Sequence, residues 1–181
     1  MATVFTVGHG TRSTEELVAV LRDAGVVRLV DVRRFPGSRR HPHFAREALE
    51  LSLPAAGIAY DWRGEELGGR RSSTTREPSR HSAWRNDGFR NYADYMDSPE
   101  FRNALERLEE DARSEPVAIM CAETLWWRCH RQLIADALMV HGFDVVHLIG
   151  PGESQPHRLH RSLRVADGLP VYDVGETGKL V

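Results

Sequence analysis

The sequence has little of what marks secreted or membrane proteins. It contains only two cysteines among 181 residues, too few for the disulfide framework of a small secreted domain. No apolar run approaches the roughly 18 residues that a membrane span requires. The first residues also lack the charged-then-apolar layout of a secretory signal. We therefore expect a cytoplasmic protein with no membrane attachment.

Net charge is also small, but it is unevenly distributed. The formal value is −2 at pH 7, yet residues 33–46 hold five arginines and no acid. A second arginine-rich segment spans residues 70–90 and carries only two acidic residues, Glu77 and Asp87. A near-neutral chain with two such segments indicates an anionic ligand rather than a basic coat for bulk nucleic acid.

Hydrophobic patterning predicts alternating strands and helices. We expect strands at residues 4–7, 26–32, 58–60, 117–120 and 145–149. Helices are expected at residues 15–23, 45–53, 89–96, 99–113 and 132–140, the first preceded by a Ser13–Glu16 capping box. This order predicts a three-layer α/β/α fold with a mostly parallel sheet of about five strands. Residues 1–181 then form one domain, with a long arginine-rich loop at about 64–88 and an irregular tail from about 151.

Polar side chains follow four of the predicted strands. In a parallel sheet the carboxyl ends of the strands share one edge, where ligands usually bind. We therefore expect one site to draw on the groups at these strand ends. They are His9 and Arg12; Asp31, Arg33 and Arg34; Asp61 and Arg63; Cys121 and Glu123.

The segment at residues 33–40 has the composition of an anion clamp. Several guanidinium groups, a hydroxyl and a Pro-Gly turn can hold phosphate or carboxylate oxygens. The candidate anion-binding groups are Arg33, Arg34, Ser38 and Arg39. Asp31 is expected to orient these arginines. The alternative is a solvated loop that pairs with Glu47 and Glu50.

Chemically reactive side chains are densest between Cys121 and Arg131. Cys121 resembles the nucleophile of rhodaneses and cysteine phosphatases, since a helix start and nearby cations lower a thiol pKa. Against this, Trp126 and Trp127 fill the loop that such enzymes keep open, and a small buried residue ending a strand is the alternative. A zinc site from the two cysteines, His130 and a later histidine matches no standard ligand spacing. We therefore predict no metal and no cofactor.

Glu123 is the leading candidate for proton transfer. A carboxylate two residues beyond a buried strand, near an apolar wall, suits a general acid or base. The alternative is a carboxylate that interacts with the helix dipole or with Arg128. At the helix start, Cys129, His130 and Arg131 are candidate anion ligands. The candidate catalytic residues are Glu123, Cys121 and His9.

With these segments laid out, the chain resembles the domain-of-unknown-function 488 family over nearly its whole length. The matching residues are Thr6-Val-Gly-His9, Asp31-Val-Arg33, Pro36, Ser38-Arg39, Leu67-Gly-Gly69, Phe89, Tyr92, Met96, Cys121-Ala-Glu123, Cys129-His-Arg131 and His147. The family usually has a less bulky, proline-containing segment where this chain has Leu125-Trp-Trp127. The resemblance implies a compact α/β domain, but no reaction. It also implies a pocket formed by Asp31, Arg33, Ser38, Arg39, Cys121, Glu123, Cys129, His130 and Arg131.

Three hypotheses of function follow. The leading one is an enzyme that binds a phosphate-bearing ligand, a nucleotide or a nucleic-acid base, through Arg33, Arg39 and Arg131. Glu123 would transfer a proton, and activation of water would make the enzyme a hydrolase. The second is rhodanese-like thiol chemistry at Cys121. The third is a non-catalytic nucleic-acid binding module that uses the segment at residues 70–90. The oligomeric state does not follow from the sequence.

Overall fold

In the computed structural model, residues 1–73 and 78–173 are described. The strands are β1 (Thr3–Gly8), β2 (Arg28–Asp31), β3 (Ala59–Trp62), β4 (Val117–Cys121), β5 (Asp144–Gly150), β6 (Glu153–Pro156), β7 (Leu163–Ala166) and β8 (Leu169–Tyr172). The α-helices are α1 (Thr14–Asp23), α2 (Arg46–Ala55), α3 (Gly64–Leu67), α4 (Asp87–Met96), α5 (Pro99–Ser114) and α6 (Arg131–Val140). Single 3-10 turns lie at Pro42–Phe44 and Trp126–Arg128. No helix in this part of the chain is long and apolar enough to cross a bilayer.

The central sheet has six strands in the order β3-β2-β4-β1-β5-β6. Its first five strands are parallel, and β6 joins β5 in the antiparallel sense. Strands β7 and β8 form a separate antiparallel pair. The predicted three-layer α/β/α class with a mostly parallel sheet is therefore confirmed.

Side-chain alternation along β4 divides the core into two layers. Ala118 and Met120 pack with α1 and α2 on one face of the sheet. Val117, Ile119 and Cys121 pack with α4, α5 and α6 on the other face. Residues of β4 are thus buried on both sides, which explains the uninterrupted apolar run in this strand.

The connections of the sheet change face around β4. The chain leaves β1 and β2 toward the face that carries α1 and α2, whereas it leaves β4 toward the face that carries α6. Because β4 lies between β1 and β2, its carboxyl end is a topological switch point on each side. In open α/β sheets, such switch points are where ligands bind. We name this region, at the ends of β1, β2 and β4, the switch-point crevice.

Three segments differ from the sequence-based expectation. The stretch after Gly150, predicted to be irregular, carries β6, β7 and β8. The predicted loop at about 64–88 contains the one-turn helix α3, while its residues 74–77 and the tail beyond 173 lie outside the described part. Helix α2 ends at Ala55, two residues beyond the end of the helix predicted at 45–53.

Candidate functional site

Backbone hydrogen bonds continue beyond the regular sheet and hold its strand ends together. The N–H of His9 donates to the carbonyl of Cys121 at 3.0 Å, and the N–H of Gly10 donates to Ala122 at 3.0 Å. On the other side of β4, the N–H of Val32 donates to Met120 at 2.9 Å. These bonds bring the predicted site residues of β1, β2 and β4 to one edge.

Two glycines allow the loop after β4 to approach β1. A Cβ atom at Gly8 would lie 2.0 Å from the carbonyl oxygen of Glu123. A Cβ atom at Gly10 would lie 2.3 Å from Oγ1 of Thr124, and this glycine has a φ of +51°. Any larger residue at these two positions would push away residues 123–124.

Arg33 is fully engaged with Asp31 in a buried ion pair. Its Nε donates to Oδ1 of Asp31 at 2.9 Å and its Nη2 donates to Oδ2 at 2.6 Å. Nη2 also donates to the carbonyl of Phe44, and the hydroxyl of Tyr60 donates to Oδ2 of Asp31 at 2.6 Å. Burial alone would lower the pKa of Arg33, but pairing with Asp31 raises it above its usual value. Asp31, which was expected to orient the arginines, is therefore itself the anion that Arg33 binds.

His9 completes this network as a neutral imidazole. Its Nδ1 donates to the carbonyl of Gly10 at 2.9 Å, so Nε2 carries the lone pair and accepts from Nη1 of Arg33 at 3.3 Å. Burial, reinforced by the charge of Arg33, lowers the pKa of His9 to about 4. The ring also stacks on Phe44 with a centroid separation of 4.4 Å. We name the set His9, Asp31, Arg33 and Tyr60 the Arg33 cluster.

Cys121 and Cys129 meet on the opposite face of the sheet. Their Sγ atoms are 2.7 Å apart, and both are free, buried thiols. Burial alone would raise the pKa of Cys121, but the S–H of Cys129 and the charge of Arg131 lower it below its ordinary value. Burial and the contact with Cys121 raise the pKa of Cys129. Cys129 is thus the hydrogen-bond donor and Cys121 the acceptor, and Cys121 is the more readily ionised of the two thiols.

Arg131 is a buried cation without a carboxylate partner. Only 1% of its surface is exposed, and its Nη2 donates to the carbonyls of Glu123 at 2.9 Å and Thr124 at 3.2 Å. Its Nε and Nη1 are buried and have no hydrogen-bond acceptor among the described residues. A desolvated charge with unused donors is costly, so it normally has a counter-ion. The charge of Arg131 instead acts on the buried thiol of Cys121 and helps to lower its pKa.

His130 joins the start of α6 to β2 instead of pointing to solvent. Its Nε2 donates to the carbonyl of Val32 at 3.1 Å, and its ring packs against Tyr92 at 5.0 Å. Burial lowers its pKa to about 4, which keeps the ring neutral. Its Nδ1 lies 3.5 Å from Sγ of Cys129. This predicted anion ligand therefore makes contacts that position the start of α6.

The remaining predicted residues lie at the surface of the same edge. Glu123 is exposed, so the apolar wall expected beside it is absent, and it forms no ion pair with another described residue. Ser38 accepts from the N–H of His41 at 2.9 Å and thereby closes a turn. Arg34 donates to the carbonyl of Arg70 at 2.9 Å. Arg39 is exposed and has no partner within residues 1–73 and 78–173.

A buried polar chain next to this region was missed by sequence reasoning. Oγ1 of Thr6 lies 2.6 Å from Nδ1 of His147, whose Nε2 lies 2.9 Å from Nδ1 of His157. Nε2 of His157 donates to Asp136 at 2.8 Å, and the hydroxyl of Tyr172 donates to the other oxygen of that carboxylate at 2.8 Å. Burial, followed by His157 and Arg131, lowers the pKa of His147 to about 3. The sequence did contain a signal for this chain, namely a polar residue inside an apolar strand or helix, as at positions 147 and 136.

This chain of hydrogen bonds touches the loop between the two cysteines. Trp126 stacks on His147 with a centroid separation of 4.3 Å and an interplanar angle of 5°. The neighbouring Trp127 is 49% exposed. One tryptophan of the loop thus anchors it to the core, while the other remains available at the surface.

Three arginines of the second arginine-rich segment have partners within the chain. Arg80 pairs with Asp97, and Arg90 pairs with Asp87. Arg71 donates to the carbonyl of Gly68 at 2.9 Å and lies over the ring of Tyr95 at 3.9 Å. These arginines hold the segment against α4. Within the described ranges, no group of three or more His, Cys, Asp or Glu side chains is arranged to hold a metal ion.

Comparison with known proteins assigns the chain to a family but not to a reaction. No curated protein and no solved structure matches the chain. The model of the domain of unknown function DUF488 matches residues 13–138, which include Asp31, the Cys121–Arg131 segment and most of α6. Because this match covers more than half of the sequence, the chain belongs to the DUF488 family.

Proposed function

We propose that the switch-point crevice binds a phosphate-bearing ligand, a nucleotide or a nucleic-acid base, and that the chain is an enzyme acting on it. The observation that carries the proposal is the guanidinium of Arg131. It is buried, it has unused donors at Nε and Nη1, and it has no carboxylate partner among the described residues. A phosphoryl group supplies both the negative charge and the acceptor oxygens that these donors need.

The ligand reaches Arg131 through the loop after β4. Arg131 is covered by the backbone of residues 123–124, and these two residues are exposed on their outer side. A shift of this segment opens the guanidinium to the crevice. Arg39 and Arg128, both exposed and both following strands that border the crevice, add positive charge. Arg33 is paired with Asp31 and lies at the crevice on the other face of the sheet.

Glu123 is the proposed proton-transfer group, and a water activated by it would make the reaction a hydrolysis. Its side chain is exposed and unpaired among the described residues, and its own carbonyl accepts from Arg131. The carboxylate is therefore attached to the backbone segment that covers the anion site. The exposed ring of Trp127 offers a surface on which a base can stack.

Binding tests the role of Arg131. Titration calorimetry with nucleoside 5′-monophosphates should give measurable affinity for the wild-type chain. Arg131→Met should weaken that affinity about tenfold or more, because the charge and the donors are removed while the stem is kept. The matched control is Arg22→Met, an exposed arginine in the last turn of α1 at the opposite edge of the sheet. Equal affinities of the two variants would remove Arg131 from the site.

Turnover tests the role of Glu123 separately. With any nucleotide or short oligonucleotide that the wild-type chain converts, Glu123→Gln should keep binding and lower kcat about 100-fold or more. Glu110→Gln, an exposed glutamate on α5, is the control and should leave kcat unchanged. Turnover that survives Glu123→Gln would show that another group transfers the proton.

A second candidate function is rhodanese-like sulfur transfer through Cys121. The hydrogen bond from Cys129 favours it, because this bond stabilises a thiolate, the nucleophilic form, at Cys121. Incubation with thiosulfate should then add the mass of one sulfur atom to the peptide that carries Cys121. An unmodified peptide after incubation with the native chain would exclude this candidate.

A further inference from the structure

The contact between Cys121 and Cys129 has a chemical consequence that does not depend on any substrate in the crevice. These are the only two cysteines of the sequence, and their sulfur atoms are 2.7 Å apart. Cys121 ends β4 and Cys129 lies two residues before the start of α6. Seven residues separate them, yet the strand and the helix hold their side chains in contact beneath an exposed loop.

We propose that Cys121 and Cys129 form a reversible dithiol–disulfide pair, in which Cys121 reacts first with a small hydroperoxide and Cys129 resolves the product. The close sulfur contact carries the proposal. A disulfide requires an S–S distance of about 2.05 Å, so a shift of roughly 0.7 Å suffices. Two side chains that already touch need no loop closure, which is the main entropic cost of an intramolecular disulfide.

The environment sets the order of the two steps. Burial opposes ionisation of Cys121, but the hydrogen bond from Cys129 and the charge of Arg131 lower its pKa below the ordinary value, so Cys121 ionises before Cys129. Cys129 remains the thiol, and its sulfur accepts from the backbone N–H of Arg131 at 3.5 Å. Because the thiolate is the nucleophile, Cys121 attacks the oxidant and Cys129 attacks Cys121.

The chemistry balances with hydrogen peroxide as the oxidant. The thiolate of Cys121 attacks one peroxide oxygen, an S–O bond forms, the O–O bond breaks, and hydroxide leaves and takes up a proton. Cys129 then gives up its proton and attacks Sγ of Cys121. The S–S bond forms, the S–O bond breaks, and the leaving hydroxide departs as water. The two sulfurs together lose two electrons, and the peroxide is reduced to two molecules of water.

Burial restricts which oxidants can react. Cys121 is 3% exposed and Cys129 is 8% exposed, so a peroxide molecule can reach the pair more readily than a tripeptide disulfide can. The pair should therefore oxidise with peroxide and form no lasting adduct with glutathione disulfide. An exposed thiol would behave in the opposite way.

The test uses the full chain, first reduced and then treated with equimolar hydrogen peroxide. Free thiols are blocked with N-ethylmaleimide under denaturing conditions, and the digest is analysed by mass spectrometry. We expect loss of both thiols, one linked peptide pair containing Cys121 and Cys129 within a monomer, and full recovery with dithiothreitol. Oxidation should be about tenfold or more faster in the native chain than in the chain unfolded in urea. Two free thiols after treatment, or equal rates in the native and unfolded chains, would overturn the proposal.

Two single variants test the order of the steps. In Cys129→Ser, dimedone should trap a sulfenic acid at Cys121, because the resolving thiol is missing. In Cys121→Ser, Cys129 should resist peroxide, because it lacks the stabilisation that lowers the pKa of its partner. Trapping at Cys129 with none at Cys121 would reverse the assignment. The wild-type measurement tests whether the disulfide forms, even if one of the variants does not fold.

Discussion

Two buried arginines at the same edge of the sheet have opposite electrostatic surroundings. Arg33 packs on the α1–α2 side, and every nitrogen of its guanidinium has an acceptor, chiefly the buried carboxylate of Asp31. Arg131 lies on the α6 side, donates only to two backbone carbonyls, and leaves Nε and Nη1 unused. Both are less than a tenth exposed. The difference therefore lies in their partners and not in their burial.

This difference separates a structural arginine from a candidate functional one. In the Arg33 cluster the chain supplies its own counter-ion, so no ligand is needed to satisfy the charge. Arg131 has no carboxylate partner among the described residues, and its charge instead helps to lower the pKa of the oxidisable thiol of Cys121. A charge left without a carboxylate stabilises the folded chain little, and such groups concentrate where proteins bind or react. The same amino acid thus has two different surroundings on the two faces of one sheet.

The largest expected effect comes from replacing each arginine by methionine. Arg33→Met leaves the carboxylate of Asp31 buried without its cation and should lower the free energy of unfolding by about 3–5 kcal/mol. Arg131→Met removes a desolvated charge whose donors are partly unused, so stability should change by less than about 1 kcal/mol or increase. Urea unfolding followed by circular dichroism measures both values.

The exposed pair of Arg46 and Glu50 provides the reference for this experiment. Glu50→Gln should cost less than about 0.5 kcal/mol, since both side chains are exposed and one helical turn apart. Equal losses for Arg33→Met and Arg131→Met would remove the contrast between the two arginines. It would also mean that Arg131 has a stabilising partner of comparable strength.

A pH titration tests whether the Arg33 cluster tolerates further positive charge. The pKa of His9 is about 4, below the usual value of 6.5 that the unfolded chain would show. Between pH 6.5 and pH 4, His9 is therefore protonated in the unfolded state but neutral in the native state. Stability falls as the pH drops through this window, by up to about 1.4 kcal/mol per pH unit from His9 alone.

His9→Gln isolates this contribution. A glutamine can accept from Arg33 and donate to Gly10 without titrating, so the slope between pH 6.5 and pH 4 should decrease by about 1.4 kcal/mol per unit. The slope that remains should come partly from His130 and His147, whose pKa values are also lowered. An unchanged slope would mean that His9 is protonated in the native chain and that its Nε2 does not accept from Arg33.

Local sequence signals predicted most of the fold. The Ser13–Glu16 capping box starts α1 as expected, and Pro99 at the first helical position starts α5. β6 was missed because all four of its residues are exposed and give no alternating pattern. Its pairing with β5 is decided by a tertiary neighbour that the local sequence does not encode.

The site was predictable in its location but not in its partners. Parallel strand ends converge at one edge in any α/β sheet, so the positions of His9, Asp31 and Cys121 follow from strand prediction alone. The pairing of carboxylates with arginines depends on the face of the sheet on which each side chain lies. The linear sequence pattern does not show that face for residues beyond the strand ends. Contacts such as that between Thr6 and His147, 141 positions apart, also lie beyond local sequence reasoning.

A further test concerns Tyr60, which lies at the edge of the Arg33 cluster. Its hydroxyl donates to Oδ2 of Asp31 at 2.6 Å, and the Asp31 contact helps to raise its pKa, after burial as the first cause. Tyr60→Phe removes one hydrogen bond to a charged acceptor while the ring remains, so it should cost about 1.5 kcal/mol. If the cluster is structural, this variant should leave nucleotide binding and the peroxide oxidation of Cys121 unchanged. A change in either property would show that the two faces of the sheet are coupled.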